Sequence, residues 1–276
     1  MPTRQQLLRR LHDLGRHLAT RPDAVALLGV GSAGADSDRM DEHSDLDFFV
    51  IVSDGAKAGY LTDIGWLAAP CPVAYSFENT RDGRKALYAD GIFVEYAVFT
   101  VAELAGIGYT AGKVVWRRAD APADLAVPAP REPDPNATVE YQLGEALTNL
   151  YVGLKRDARG ETLSGFRFIQ QYALDRILTI LALQNPGGRW DPFDPARRAE
   201  ANTAAANTAA ATNADPAGAG TGDPAGAGAP PFAAMMPGYA ANRAAAAAIL
   251  DWLEPRFPLD PVIVAAIRGQ LSDDSR

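Results

Sequence analysis

The sequence predicts an α+β protein: a β-rich first part flanked by helices, then a helical second part. Three observations carry this. Leu27 to Ser32 is an apolar run stopped by a Gly-Ser turn, and Asp45 to Val52 places aromatic and β-branched residues behind two acids, so both read as strands. Ala121 to Pro135 is proline-rich and reads as an extended linker. Beyond it, Val139 to Arg156 and Leu163 to Leu183 carry apolar residues at helical spacing.

Taken in order, Thr3 can cap a helix reaching about Ala19, with Leu7, Leu8, Leu11, Leu14 and Leu18 on the face that lies on the sheet. His12 and His17 in it are five apart, the wrong spacing to share a metal. Val25 to Val30 is the first strand. Ser32 to Ser44 is small and acidic, enough for a short helix but not a long packed one. After the second strand, Ala56 to Ala69 reads as a helix with Tyr60, Ile64 and Leu67 on one side. Val73 to Phe77 and Lys85 to Tyr88 are strand candidates around an Asn79-to-Arg84 turn, and Ile92 to Phe99 is a strong strand. Thr100 caps a short helix through Leu104, and Lys113 to Arg117 is an edge strand. Glu200 to Pro231 is alanine, glycine, asparagine, threonine and proline; it reads as a disordered insertion with nothing to repay its ordering entropy. Asn242 to Leu253 and Pro261 to Leu271 close the chain as helices.

At 276 residues the chain has room for two cores. A net charge of −8 argues against a nucleic-acid footprint or an anionic membrane partner, and favours a small-molecule or cationic substrate. Cys71 is the single cysteine, so neither an internal disulfide nor a thiolate zinc site can form, and a cytoplasmic setting is expected. No uninterrupted apolar run is long enough to span a membrane, and the charged N-terminus lacks a signal-peptide core.

The chemistry concentrates in the first two strands. Residues two apart on a strand share a face, so Asp45 and Asp47 are expected to project together. Paired carboxylates ask for a cation, and an all-oxygen site suits Mg²⁺. The Gly31-Ser32 turn offers backbone N–H groups to phosphate. Glu95 is an acid inside an apolar strand; it either faces solvent or joins another charge. If its strand neighbours that of Asp45 and Asp47, three carboxylates converge as a metal site. Each feature alone has an ordinary reading: a turn, a solvated edge, a surface acid. Gly29 to Gly34 also spells Gly-x-Gly-x-x-Gly, with Asp54 placed to hold a ribose, as in a dinucleotide-binding oxidoreductase. That rival needs a long packed helix over residues 32 to 44.

Val30-Gly31-Ser32, then Ser44-Asp45-Leu46-Asp47-Phe48, then a Glu on a later strand resemble the nucleotidyltransferase superfamily of DNA polymerase β-type fold. In character the chain is most similar to lincosamide and aminoglycoside nucleotidyltransferases. The resemblance implies a catalytic domain over 1–120 with a mixed sheet flanked by helices, a linker over 121–136, and a C-terminal helical bundle on the substrate side over 137–276. It implies AMP transfer from ATP, with two Mg²⁺ ions, to a hydroxyl of a small-molecule acceptor. Asp45 and Asp47 would hold the metal ions, Glu95 would be metal ligand or general base, and Gly31 and Ser32 would hold phosphates. Glu145 is a candidate second base. Many relatives carry an Arg-Gly soon after the Gly-Ser, where this chain has Gly34-Ala35-Asp36, so phosphate neutralisation is expected from Lys155 or Arg159. Lys155, Arg156, Arg159, Arg167 and Arg176 are the basic cluster of the helical part. A monomer or homodimer is expected. The alternative in another class is a non-catalytic nucleotide-binding or antitoxin-like module of the same fold.

Overall fold

The computed structural model describes residues 2–130, 134–191, 193–204 and 229–272. The chain divides into two compact units, Met1–Glu132 and Pro133–Arg276.

The first unit is built on one six-stranded mixed sheet in the order β3-β4-β5-β2-β1-β6. Helix α1 (Arg4–Leu18) opens with a reciprocal cap between Thr3 and Gln6 and buries Leu7, Leu11, Leu14 and Leu18. It contacts β1 (Ala24–Val30) and the edge strand β6 (Lys113–Arg117). Strand β2 (Leu46–Val52) runs antiparallel to β1 and parallel to β5 (Phe93–Thr100). The hairpin of β3 (Val73–Thr80) and β4 (Gly83–Tyr88) attaches to β5 through β4.

One face of β2 and β5 buries Leu46, Phe48, Val50, Val94, Tyr96 and Val98. There Phe48 and Tyr96 are register partners with stacked rings 5.4 Å apart, and Trp66 meets Tyr96 edge-on at 5.2 Å. The other face carries a smaller core of Ile51, Phe99, Leu28 and Leu104 of the short α4 (Val101–Leu104), with Phe49 packed against it. Asp47 and Glu95 precede Phe49 and Ala97 on that second face, at the ends of their strands.

Several expectations change here. Asp45 is exposed and lies just before β2, not within it. Residues 31–39 form two single 3₁₀ turns, Gly31–Ala33 and Ser37–Arg39, with no long helix; this removes the dinucleotide-binding reading. The helix expected over Ala56 to Ala69 is two, α2 (Lys57–Thr62) and α3 (Gly65–Ala68), because the Asp63 carboxylate takes the Gly65 N–H and stops the first. The β3–β4 turn is tighter than Asn79 to Arg84. Ala121 and Leu125 are buried on the smaller core, so the start of the proline-rich stretch packs on the first unit instead of running free.

The second unit is helical. α5 (Val139–Ala158) packs against α6 (Thr162–Phe166), a π-helical stretch Arg167–Ala173 and α7 (Leu174–Gln184). Residues 199–204 form α8, followed by α9 (Phe232–Met235), α10 (Asn242–Leu253) and α11 (Pro261–Ser272). The insertion expected over 200–231 is therefore helical at its start, where Asn202 is buried and its Oδ1 accepts the Arg189 N–H. Residues 205–228 lie outside the described residues. Asn242 is buried and donates to Asp157 Oδ1 at 2.9 Å and to the Thr162 carbonyl at 3.2 Å, while accepting from Gln170 at 2.9 Å. Among the described residues no helix is long and apolar enough to cross a membrane.

Candidate functional site

The site begins where β1 ends. Gly31 takes φ +55, the left-handed region, and turns the chain off the strand. A side chain there would collide with Asp47 Oδ2, so this glycine gives the carboxylate its place. Ser32 is buried, and its Oγ donates to the Asp45 carbonyl at 3.3 Å. Its hydroxyl proton is thus spent on bracing the chain ahead of β2.

Backbone register does the rest. Asp47 is the parallel partner of Glu95, and Glu95 is the antiparallel partner of Lys85 on β4. Register partners project to one face, so Lys85, Glu95 and Asp47 make a row across three strands. Lys85 Nζ is 2.9 Å from Glu95 Oε2, and Asn79 Nδ2 donates to Glu95 Oε1 at 2.7 Å. The hydrogen bond and charge of Glu95, joined by the charges of Asp45 and Asp47, raise the pKa of the Lys85 ammonium above its ordinary value. One ammonium is therefore within electrostatic reach of all three predicted carboxylates.

These donors fit a divalent cation in kind: they are hard oxygens, they are anionic, and a cationic group already lies among them. They do not stand as a closed coordination sphere. Among the described residues, no three His, Cys, Asp or Glu side chains come together closely enough to hold a metal.

Lys85 and Asn79 were missed by the sequence reading. The signal for Lys85 was present: an acid in an apolar strand asks for a cation, and the neighbouring strand candidate supplied one. A cleft of about 800 Å³ opens beside Asp45, with Glu42, His43, Asp90 and Phe93 among its walls. Asp90 there is paired with Arg10 at 2.6 Å.

The remaining predicted residues belong to the second unit. Glu145 is half-buried on α5, its carbonyl accepting the Thr148 hydroxyl at 3.1 Å. Lys155 Nζ lies 4.5 Å over the Tyr151 ring, and Arg159 pairs with Glu161 at 3.4 Å. Arg156 stacks on Phe168 at 4.6 Å, and Arg176 donates to Gln142 at 3.3 Å. Lys155 and Arg159 are engaged within a few residues of themselves, whereas Arg156 and Arg176 reach neighbouring helical segments of the same unit.

No protein-family model matches the chain, and no curated protein does. Among solved structures it is similar to an aminoglycoside 6-adenyltransferase from Bacillus subtilis, 11% identical, over 98% of this chain and 92% of that one, with a TM-score of 0.33. It is also similar to a nucleotidyltransferase-like protein from Exiguobacterium sibiricum 255-15, 12% identical, over 67% of this chain and 59% of that one, with a TM-score of 0.29. At these values neither likeness carries a functional argument. The chain's own residues do.

Proposed function

We propose that this chain is a Mg²⁺-dependent nucleotidyltransferase that moves a nucleoside monophosphate, AMP from ATP, onto a hydroxyl of a small acceptor. The observation that carries the reading is the row Asp47–Glu95–Lys85 beside the left-handed Gly31, with Asp45 at its edge. Asp45 and Asp47 would hold the cation, with Glu95 as a further ligand or as the general base. Bound there, Mg²⁺ would draw in the triphosphate and lower the pKa of the attacking hydroxyl. The acceptor oxygen bonds to the α-phosphorus, the bridge to the β-phosphate breaks, and pyrophosphate leaves. With Glu95 as the base, the hydroxyl proton goes to its carboxylate, which Asn79 orients from the other oxygen. The acidic walls of the cleft beside Asp45 suit a cationic, hydroxylated acceptor such as an aminoglycoside or a lincosamide.

A second reading, a fold that binds nucleotide without turning it over, has its own support. Among the described residues the three carboxylates do not close up as a metal site, and Lys85 already neutralises part of the acidic row. One experiment separates the two. The full chain is incubated with α-labelled ATP or GTP, Mg²⁺ and panels of aminoglycosides and lincosamides, and pyrophosphate and labelled acceptor are measured. Product that disappears in Asp47→Asn establishes transfer; nucleotide binding with no product for any acceptor supports the second reading.

A further inference from the structure

Helix α5 carries a glycine in its interior that its own packing does not require. Glycine is a poorer helix former than alanine, yet nothing lies within 4 Å of a Cβ added at Gly144. Gly153 on the same helix is the contrast: a Cβ there would collide with the Ile169 side chain, so helix packing demands it. What Gly144 borders is a cleft of about 860 Å³ within the second unit, between α5 and the stretch that leads into α11. That volume suits a drug-sized molecule. Leu143, Leu147 and Tyr151 of α5 line it together with Phe257, Leu259 and Ile263. Thr148 is also there, but its hydroxyl is turned back on the helix and donates to the Gly144 carbonyl at 2.9 Å. Along α5 the lining runs from Glu140 to Tyr151, three turns or about 16 Å. Among the described lining residues the charged ones are Glu140 and Asp260, both exposed acids. Two negative charges beside an apolar cleft with aromatic walls complement a positive charge carried on an apolar body.

We propose that this cleft binds an amphipathic cation, a small molecule with an apolar ring or chain that ends in an amine. The apolar body lies along α5 over Gly144, and the amine meets Glu140 and Asp260. Gly144 then gives up helix stability in return for room above the helix. The site lies within the second unit and needs neither metal nor nucleotide, so it stands apart from the transfer reading.

The test is a titration of the full chain, without nucleotide or metal, with three probes that share a dansyl ring and a pentyl tail. One tail ends in an amine, one in a hydroxyl and one in a carboxylate; dansyl fluorescence and calorimetry report binding. The amine is expected to bind roughly two- to tenfold tighter than the hydroxyl, the weight of screened charges at an exposed rim, and the carboxylate weakest. Glu140→Gln/Asp260→Asn keeps a side-chain acceptor for the Val262 N–H and is expected to erase that order while holding the affinity for the hydroxyl probe. Gly144→Leu fills the floor of the cleft and is expected to weaken all three probes by roughly tenfold or more. Gly144→Ala is expected to weaken them less while raising the melting temperature by about 2–4 °C, since alanine favours the helix. Where Gly144→Leu fails to fold by circular dichroism, Gly144→Ala carries the test. Equal binding of the amine and hydroxyl probes overturns the cationic occupant, and binding unchanged in both Gly144 variants overturns the cleft. A concentration-dependent dimer that Gly144→Leu dissolves assigns the face to a second copy and overturns the small ligand. No binding of any probe overturns the site altogether.

Discussion

Replacing Gly31 with alanine perturbs the proposed site through a single methyl group. At φ +55 an alanine costs about 1–2 kcal/mol of backbone strain. The new Cβ would also meet Asp47 Oδ2 well inside van der Waals contact, so the carboxylate must retreat by about 1 Å to reach ordinary separation. Gly55 provides the control: its φ is +81 and nothing lies within 4 Å of an added Cβ. Both variants should lower the melting temperature of the first unit by a similar amount, about 3–6 °C. Only Gly31→Ala should also weaken Mn²⁺ binding and cut transfer by about a hundredfold, the usual consequence of a 1 Å misplacement. Calorimetry, Mn²⁺ titration and pyrophosphate release read the three quantities. A Gly31→Ala protein that binds and turns over like Gly55→Ala would refute the close approach of Gly31 to Asp47 as the feature that positions the site.

Asp47→Asn keeps shape and removes charge; it should abolish transfer while leaving the far-ultraviolet spectrum unchanged, and retained turnover would count against the site. Lys57 bonds Asp82 and Glu103 at 2.7 Å each, and these hydrogen bonds hold both carboxyls below their ordinary pKa values. Carboxyls lowered in the folded state stabilise above their unfolded pKa and lose that contribution as pH falls through the folded one. Lys57→Met should therefore melt below wild type at pH 7, with the difference shrinking as the pH falls below about 4, as followed by melting curves across pH. In the second unit, Asn242→Ala removes hydrogen bonds from half-buried Asp157 and buried Gln170 and should cost about 1–3 kcal/mol in urea unfolding, with Mn²⁺ affinity unchanged.

Where the sequence was legible, local chemistry decided the outcome. The Thr3 and Thr100 caps start helices at the expected residues, because side-chain caps act within one turn. The adjacency of Asp47 and Glu95 was readable only as a conditional, since pairing between distant strands leaves no local mark. Asp45 fell outside β2 because the strand begins at Leu46, the first side chain buried in the main core. The split at Asp63 escaped because an acid that takes its neighbour's N–H looks, in sequence, like any solvated helix residue. Lys85 was overlooked for a related reason: it sits beside Arg84, and only the register with Glu95 shows which of two adjacent cations faces the acids.

The parallel pairing of β2 with β5 fixes when, during folding, such a site comes into being. A parallel pair cannot be closed by a hairpin turn, so α2, α3 and the β3–β4 hairpin must first be threaded between the two strands. Fragments ending before β5 lack Glu95, and nascent chains pass through that stage. Ion capture would therefore report that the crossover has closed, and would act as a late fastener between distant parts of the sequence.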